Sequence, residues 1–600
     1  MRHGTAAMVA VALALLWAPA SRAKTCKSIT VAAPSGTKHD ITFTFDAAHE
    51  CGQFANGDWW VVAPASTKAV RITAISPDRG AGHDGWNVNP THISKQPYDK
   101  RINGYDVSQQ PKLPHDATAD SSVVKAVSVD LTDSSCRPCL QFATVLTVLA
   151  KAPGSAVFRP AYFGTTKLLR KTSSLRTHLL PRLDSTCPKS LAKKTLAGVA
   201  KRYRHVQLDH KTGWTGRHMH PADNLPDYGA SIATDNGASA LRLMLDDFKP
   251  GDPTHRQALV NYVQMGIDLA AMVDGGMTWG ADGGHGNGRK LPVLVAGVLL
   301  GDATITAAAG KGVYSEDQQI VHSKLADSGK GKALFGQDCG EAGYWQRMRT
   351  GSGARDCRDP YGYIDGGGAE IGGAYQVCCT AMPWKYTALA VRLLQAEKAF
   401  GHDPLLSYVD RWMNHGVWAK PDPCAPFDGT ASNYGKTYGP DGKGSCIKGT
   451  GRSLPKHGTA KASGHYGNAF GDDMWSCFRT CTPGCKGQAP RDAGVADGPA
   501  TDAGSSGGDG PAADSAGSTG DGTASADAAA AGDGGRASDD GCSCGVGRAP
   551  APGAGLFALA LLLLVTLSLR GGAALTERAR AAAVAAKPYC RRPGPRGPRR

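Results

Sequence analysis

Residues 252–274 read DPTHRQALVNYVQMGIDLAAMVD. Asp252 can accept hydrogen bonds from the backbone of a first turn. Pro253 suits the first helical position, where its missing N–H costs nothing. Behind them Leu259, Tyr262, Val263, Gly266, Ile267 and Ala270 recur at helical spacing and form one apolar stripe. The stretch therefore predicts an amphipathic helix that buries one face.

The same period extends in both directions. Upstream, helices are predicted over Leu140 to Ala150, over Leu191 to Arg204, and over a segment capped by Asp235 that carries Leu241, Met244, Leu245 and Phe248. Downstream they are predicted from Leu291 to Leu300 with a stop at Gly301, from Glu316 to Ala326, from Pro383 to Phe400 and from Pro404 to His415. The connections at 249–253 and 401–403 are short, whereas 205–234, 274–289, 327–382 and 416–476 are long and rich in Gly, His and aromatics. With Glu316 to Ala326 counted as a helix, an up-and-down path brings all four long loops to one end. The expected architecture is an α/α-hairpin array or partial toroid with one decorated rim, a place where loops carry function on a rigid scaffold.

Residues 27–132 have a different texture. Short β-prone runs, among them Ile41 to Phe45, Trp59 to Val62, Val70 to Ile75 and Val123 to Leu131, are separated by Gly, Pro, Asn and Asp. They predict a small β-sandwich-like domain. The expected whole is α+β and multidomain, with a signal peptide over 1–23, a β-rich domain over 24–135, a helical domain over 136–486, a disordered linker over 487–541, a sorting motif and transmembrane segment over 542–570 and a basic tail over 571–600.

The two ends support export. Arg2 and His3 precede an apolar run from Ala6 to Trp17 and the small residues around Ser21 and Ala23, the order of a secretory signal. Residues 487–541 are almost all Gly, Ala, Ser, Asp and Pro, too polar to offset the entropy of ordering. Gly541-Cys542-Ser543-Cys544-Gly545 comes next, then an apolar span from Leu556 to Leu569, then Arg570 and an Arg-rich end, whose charge predicts a cytoplasmic C-terminus. Over residues 541–570 this order resembles the MYXO-CTERM sorting tail of myxobacteria and their relatives. The resemblance implies a sorting protease acting near Cys542 and Cys544 and retention at the outer cell surface. Such tails usually stop soon after the basic cluster, whereas this chain continues to Arg600.

Of the 17 cysteines, 14 lie between Cys26 and Cys485. An even number in an exported body predicts a disulfide framework. Cys136-Arg137-Pro138-Cys139 reads as one such disulfide, because no second pair at zinc spacing and no thioredoxin-like pattern accompanies it. The vicinal Cys378 and Cys379 are expected to take different partners. The net charge is +15; the basic tail holds +8, the signal +2 and the linker −8, which leaves +13 on the remainder. A basic body outside the cell favours anionic partners such as uronic-acid polysaccharides or other cell-surface glycans. Nucleic acid has no motif behind it.

Four constellations carry chemistry-bearing residues. The first runs from Trp214 through Arg217, His218 and His220 to Asp223, Asp227 and Tyr228. The second holds Trp279, Asp282, His285, Arg289 and Lys290 among glycines. The third spans Tyr361 to Glu370 and reaches Tyr375. The fourth is His465 to Asn468 with Asp472, Asp473 and Trp475. Glycine lets backbone approach a ligand, Arg and Lys suit carboxylate or sulfate, and His and Tyr are candidate proton-transfer groups. His285, Tyr228 and Asp282 are the candidate catalytic residues. Trp214, Arg217, His218, His220, Arg289, Lys290, Glu370 and Tyr375 are the candidate substrate contacts. The Gly283 to Gly288 run follows a helix and lacks a Gly-Lys-Ser/Thr ending, so it is no phosphate loop. His218, His220 and Asp223 have no specific metal spacing, and neither a metal nor a cofactor is assigned.

A β domain followed by a helical array with His, Tyr and Arg in rim loops resembles, in architecture, polysaccharide lyases of the chondroitin, heparinase and alginate kinds. The Gly-Gly-His-Gly loop is similar to one in uncharacterised secreted bacterial proteins. The resemblance implies a carbohydrate-active enzyme on an anionic polysaccharide, lyase ahead of hydrolase. A non-catalytic glycan-binding protein or adhesin is the alternative.

Overall fold

The computed structural model describes residues 24–190, 194–281, 284–322, 333–336, 339, 342, 357–365, 380–424, 439–441, 443–448 and 469–480. Its N-terminal part is one sheet. Strands β1 (Lys24–Val31), β2 (Ile41–Gln53), β3 (Trp59–Val62), β4 (Ala69–Ser76), β5 (Trp86–Val88), β6 (His115–Thr118), β7 (Ser121–Ser128) and β8 (Leu140–Leu149) pair in the order β5-β7-β8-β3-β2-β4-β6, with β1 also on β2. Only β3 and β8 run parallel, with Trp59 opposite Leu146 and Val62 opposite Leu149. The sheet is mixed, nearly closed and barrel-like, which corrects the expected sandwich.

Leu140 to Ala150 is the clearest correction. It is strand β8, not a helix, and its middle residues are buried throughout. Side chains alternate along it. Phe142, Leu146 and Val148 enter a core with Ile41, Phe43 and Val123 on one face of the sheet. Ala143 and Val145 enter the core shared with the helices on the other. A strand buried on both faces loses the polar alternation that marks a half-buried one. The remaining signal was its β-branched content, Thr144, Val145, Thr147 and Val148. The sheet thus continues past residue 135, and β7, β8 and the helices share one core.

The helices are α1 (Leu196–Arg202), α2 (Gly229–Arg242), α3 (Pro253–Asp274), α4 (Lys290–Leu300), α5 (Ala303–Lys311), α6 (Ser315–Gln319), α7 (Ala381–Leu393), α8 (Glu397–Phe400), α9 (Asp403–His415) and α10 (Ala469–Phe478). Helix α3 starts as its cap predicts, with Asp252 accepting from the N–H groups of Thr254 and His255 at 2.7 and 2.9 Å. It lies so close to α4 that a Cβ at Gly266 would stand 2.3 Å from the Pro292 carbonyl oxygen. Asp235 caps nothing; it sits inside α2. The stretch from Pro383 to Phe400 is two helices, α7 and α8, divided at Gln395 with φ +52°.

The toroid expectation fails on two elements. Helix α5 was not anticipated, although Asp302 caps it through the N–H groups of Thr304 and Ile305. The segment predicted as a helix from Glu316 gives only α6 before a short strand, Ile320–His322, begins. An extra helix and a truncated one break the up-and-down alternation. Among the described residues no helix is long and apolar enough to cross a membrane. The span from Leu556 to Leu569, Cys542, Cys544, the signal and the linker all lie outside the described residues.

Disulfides join Cys26 to Cys51, Cys136 to Cys139, Cys187 to Cys477, Cys339 to Cys357 and Cys424 to Cys446. Cys378 and Cys379 fall outside the described residues. The Cys187–Cys477 bond spans 290 residues and ties the segment before α1 to α10. Replacing both with serine is expected to lower stability by about 2–5 kcal/mol. Denaturant titration beside non-reducing peptide mapping measures it; an unlinked Cys187 in the native chain refutes it.

Candidate functional site

The first and second constellations meet. Gly213, at φ +81°, turns the chain into a 3-10 helix over Trp214–Met219. Gly216 packs so tightly that a Cβ there would stand 2.0 Å from the Lys211 carbonyl oxygen. The second loop leaves a short strand, Thr278–Trp279, which pairs in parallel with Val313–Tyr314, and ends where α4 starts. Between the two loops lies a cleft of about 290 Å³, lined by Asp209, Lys211, Arg217, His220, Trp279, His285, Arg289 and Gln318, among others.

His285 and Arg289 thus share one wall. Tyr228 does not line the cleft; it stands next to it as the residue before α2. Gly229 makes that approach possible, because a Cβ there would lie 2.0 Å from the His285 carbonyl oxygen. Trp214 joins the groups at the rim. It is 46% exposed, and its ring lies 5.1 Å from His285 and 6.4 Å from Tyr228. The Arg217 guanidinium stacks on it at 3.3 Å and is itself only 1% exposed. His218 is half-buried outside the cleft, and its backbone carbonyl accepts from Cys139 N–H at 2.7 Å, which fastens this turn to the Cys136–Cys139 disulfide.

Four residues of the constellations take other places. Lys290 points into the helix packing, where its ammonium pairs with Asp317 at 2.6 Å and lies over the Phe400 ring at 4.1 Å. Asp223 accepts from or pairs with His205 Nδ1 at 2.9 Å, so it does not complete a set with His218 and His220. Asp472 pairs with the buried Lys385, and Asp473 accepts from Ser190. Asp282, Glu370, Tyr375 and His465 lie outside the described residues. Among the described residues, no group of three or more His, Cys, Asp or Glu side chains is placed to hold a metal.

Asp209 is the organising residue that pattern reading missed. It is buried, and Arg289 donates to it through Nε at 2.7 Å and Nη2 at 3.2 Å. His220 meets the same carboxylate through Nε2 at 3.1 Å and the Pro226 carbonyl through Nδ1 at 2.8 Å. Both ring nitrogens therefore face oxygen atoms of the protein. Burial raises the Asp209 carboxyl, but Arg289 and His220 outweigh it and hold the group well below the ordinary carboxylate range. Arg289 also donates through Nη1 to the carbonyls of His285 and Asn287 at 3.2 and 2.9 Å. Four of its five donors are therefore committed to the protein, and it acts more as a staple of the loop than as an open ligand grip. A signal existed: Asp209 sits five residues before Trp214 in an Asp-His-Lys run.

His285 is the reactive feature. Burial, then the charges of Arg289 and His220, push its imidazole down to about 4 against the pull of Asp209. It is therefore a neutral base at neutral pH inside a cationic cleft. Lys211 also borders the cleft, but its ammonium is turned to the Ser94 carbonyl at 3.2 Å. Neutral imidazole and stacked guanidinium together can hold an anionic group and take a proton beside it.

No family model, no curated protein and no solved structure matches this chain.

Proposed function

We propose that the chain is an exported carbohydrate-active enzyme that cleaves an anionic polysaccharide by β-elimination. One observation carries this: the cleft sets a neutral imidazole, His285, among cationic groups. In the step, Arg217 lies against a uronate carboxylate and acidifies the C5 proton. His285 takes that proton, the electron pair forms the C4–C5 double bond, and the C4–O bond breaks. The departing oxygen takes its proton from solvent, since Tyr228 does not line the cleft. The paired cysteines suit an oxidising compartment outside the cytoplasm. The sorting-type tail around Cys542 and Cys544 supports display at the cell surface.

The half-exposed Trp214 with Arg217 stacked behind it supports a second reading, a non-catalytic glycan-binding protein. One screen separates the two. The full chain is mixed with uronate-containing polysaccharides and with a neutral glucan, and the ultraviolet absorbance of unsaturated products is followed beside binding. Absorbance with a uronate polymer alone is the expected result. Binding without absorbance selects the second reading, and neither signal sinks both.

A further inference from the structure

Helix α6 lies directly under the His285 loop. Glu316 on this helix is fully buried, and its Oε1 accepts the Gly288 N–H at 2.7 Å. Two residues on, Gln318 Oε1 accepts the Ala281 N–H at 2.7 Å. One short helix therefore grips the loop on both sides of His285. Gly288 is also held through its carbonyl, which accepts from Asn236 on α2 at 2.9 Å. Its φ of +97° and its approach to Ala233, where a Cβ would lie 2.4 Å from the backbone nitrogen, leave room for glycine alone. From Gly288 the chain passes to Arg289, whose Nη1 turns back to the His285 carbonyl.

Glu316 is a costly choice for a purely structural acceptor. Its Oε2 is buried with no hydrogen-bond partner among the described residues. Burial pushes the carboxyl up to about 7; the Gly288 N–H and Lys290 on α4 draw it down, and Asp317 on its own helix adds to the rise. A glutamine would offer the same acceptor to Gly288 without a buried charge.

We infer that Glu316 is the positioning residue for His285, holding the imidazole in the cleft through the Gly288 N–H. The inference rests on His285 as the proton-transfer group, but its test does not need turnover. The His285 imidazole in the full chain is titrated by NMR. In the native protein its midpoint is expected at about 4, where burial pushes it. Glu316→Ala frees the loop, relieves the burial that depresses His285, and moves the midpoint at least one unit toward the ordinary histidine value of ~6.5. Glu316→Gln keeps the acceptor and leaves the midpoint in place. An unchanged midpoint in Glu316→Ala overturns the inference, as does an equal shift in Glu316→Gln. If the alanine variant does not fold, Glu316→Asp draws the carboxyl back by one methylene and takes its place with the same expected shift. On a polysaccharide that is turned over, Glu316→Ala lowers kcat at least tenfold with KM changed less than threefold. Absence of any turnover with a normal titration result counts against the lyase reading, not against Glu316.

Discussion

Replacing Arg159 with alanine is expected to cost about 3–5 kcal/mol of folding free energy, the range for removing one partner of a buried ion cluster. Arg159 is 1% exposed and lies between two carboxylates from different parts of the fold. Its Nε donates to Asp58, at the start of β3, at 2.6 Å. Its Nη1 and Nη2 both reach Asp268 in the middle of α3, Nη1 at 3.1 Å. A third contact goes to the Pro160 carbonyl at 2.7 Å. Without the guanidinium, two buried carboxylates face each other across the sheet–helix junction. Burial already raises Asp268 above its ordinary value, against the pull of Arg159. In the variant that rise is larger, and its sign sets the pH dependence. An acid whose folded pKa is raised keeps its stability below the unfolded pKa, ~4, and loses it as pH climbs through the folded value. The loss should therefore be greater at pH ~8 than at pH ~5. Urea unfolding at both values measures it, and a loss under ~1 kcal/mol at pH ~8 refutes the role. Lysine at this position keeps a charge but not the fork that reaches two partners.

The same junction explains which parts of the fold were legible. Helix α3 was, because a cap, a proline and a 3.6-residue stripe agree over 22 residues. Helix α9 was too, through Pro404 and its apolar stripe, with no side-chain cap. Strand β8 was not, because burial on both faces removes the alternation that distinguishes a strand. Helix α5 was missed because it is nine residues of Ala, Thr, Gly and a single Ile and Lys, with little apolar stripe to detect. Its Asp302 cap was present in the sequence, but a cap without periodicity is weak evidence. Once β8 joins the sheet, the two-layer picture of separate domains gives way to a barrel-like sheet that shares a core with the helices.

The site was legible in a different way. Glycine-rich loops beside Trp, Arg and His marked two segments, 214–228 and 279–290, parts of which border one cleft, although the up-and-down path expected to unite them does not hold. What pattern could not supply was direction. Arg289 and Lys290 are adjacent and equally basic, yet one enters the cleft and the other turns to Asp317 and Phe400. The first turn of α4 sets that divergence, since neighbouring helical side chains project about 100° apart. Asp209 was missed for a related reason: its partners, His220 and Arg289, are 11 and 80 residues away.

Turnover by His285→Ala is expected to fall about 10²–10⁴-fold, the usual contribution of a positioned proton-transfer group. Binding of the polysaccharide should change less than threefold, because Arg217 remains. The pH profile of the native protein is the sharper measurement. A base must be neutral to accept a proton, and burial with Arg289 and His220 pushes the His285 imidazole down to about 4. Turnover should rise as pH climbs through that value and stay level through neutrality, where an unperturbed histidine would give its limb near ~6.5. Arg217→Gln should move this limb only slightly, since burial is the largest cause of the shift and Arg217 the smallest named. An acid limb near ~6.5 that survives in His285→Ala would assign the base elsewhere. A lowered melting temperature with normal turnover per folded molecule would make His285 a packing partner of Trp214, whose ring it already meets at 5.1 Å.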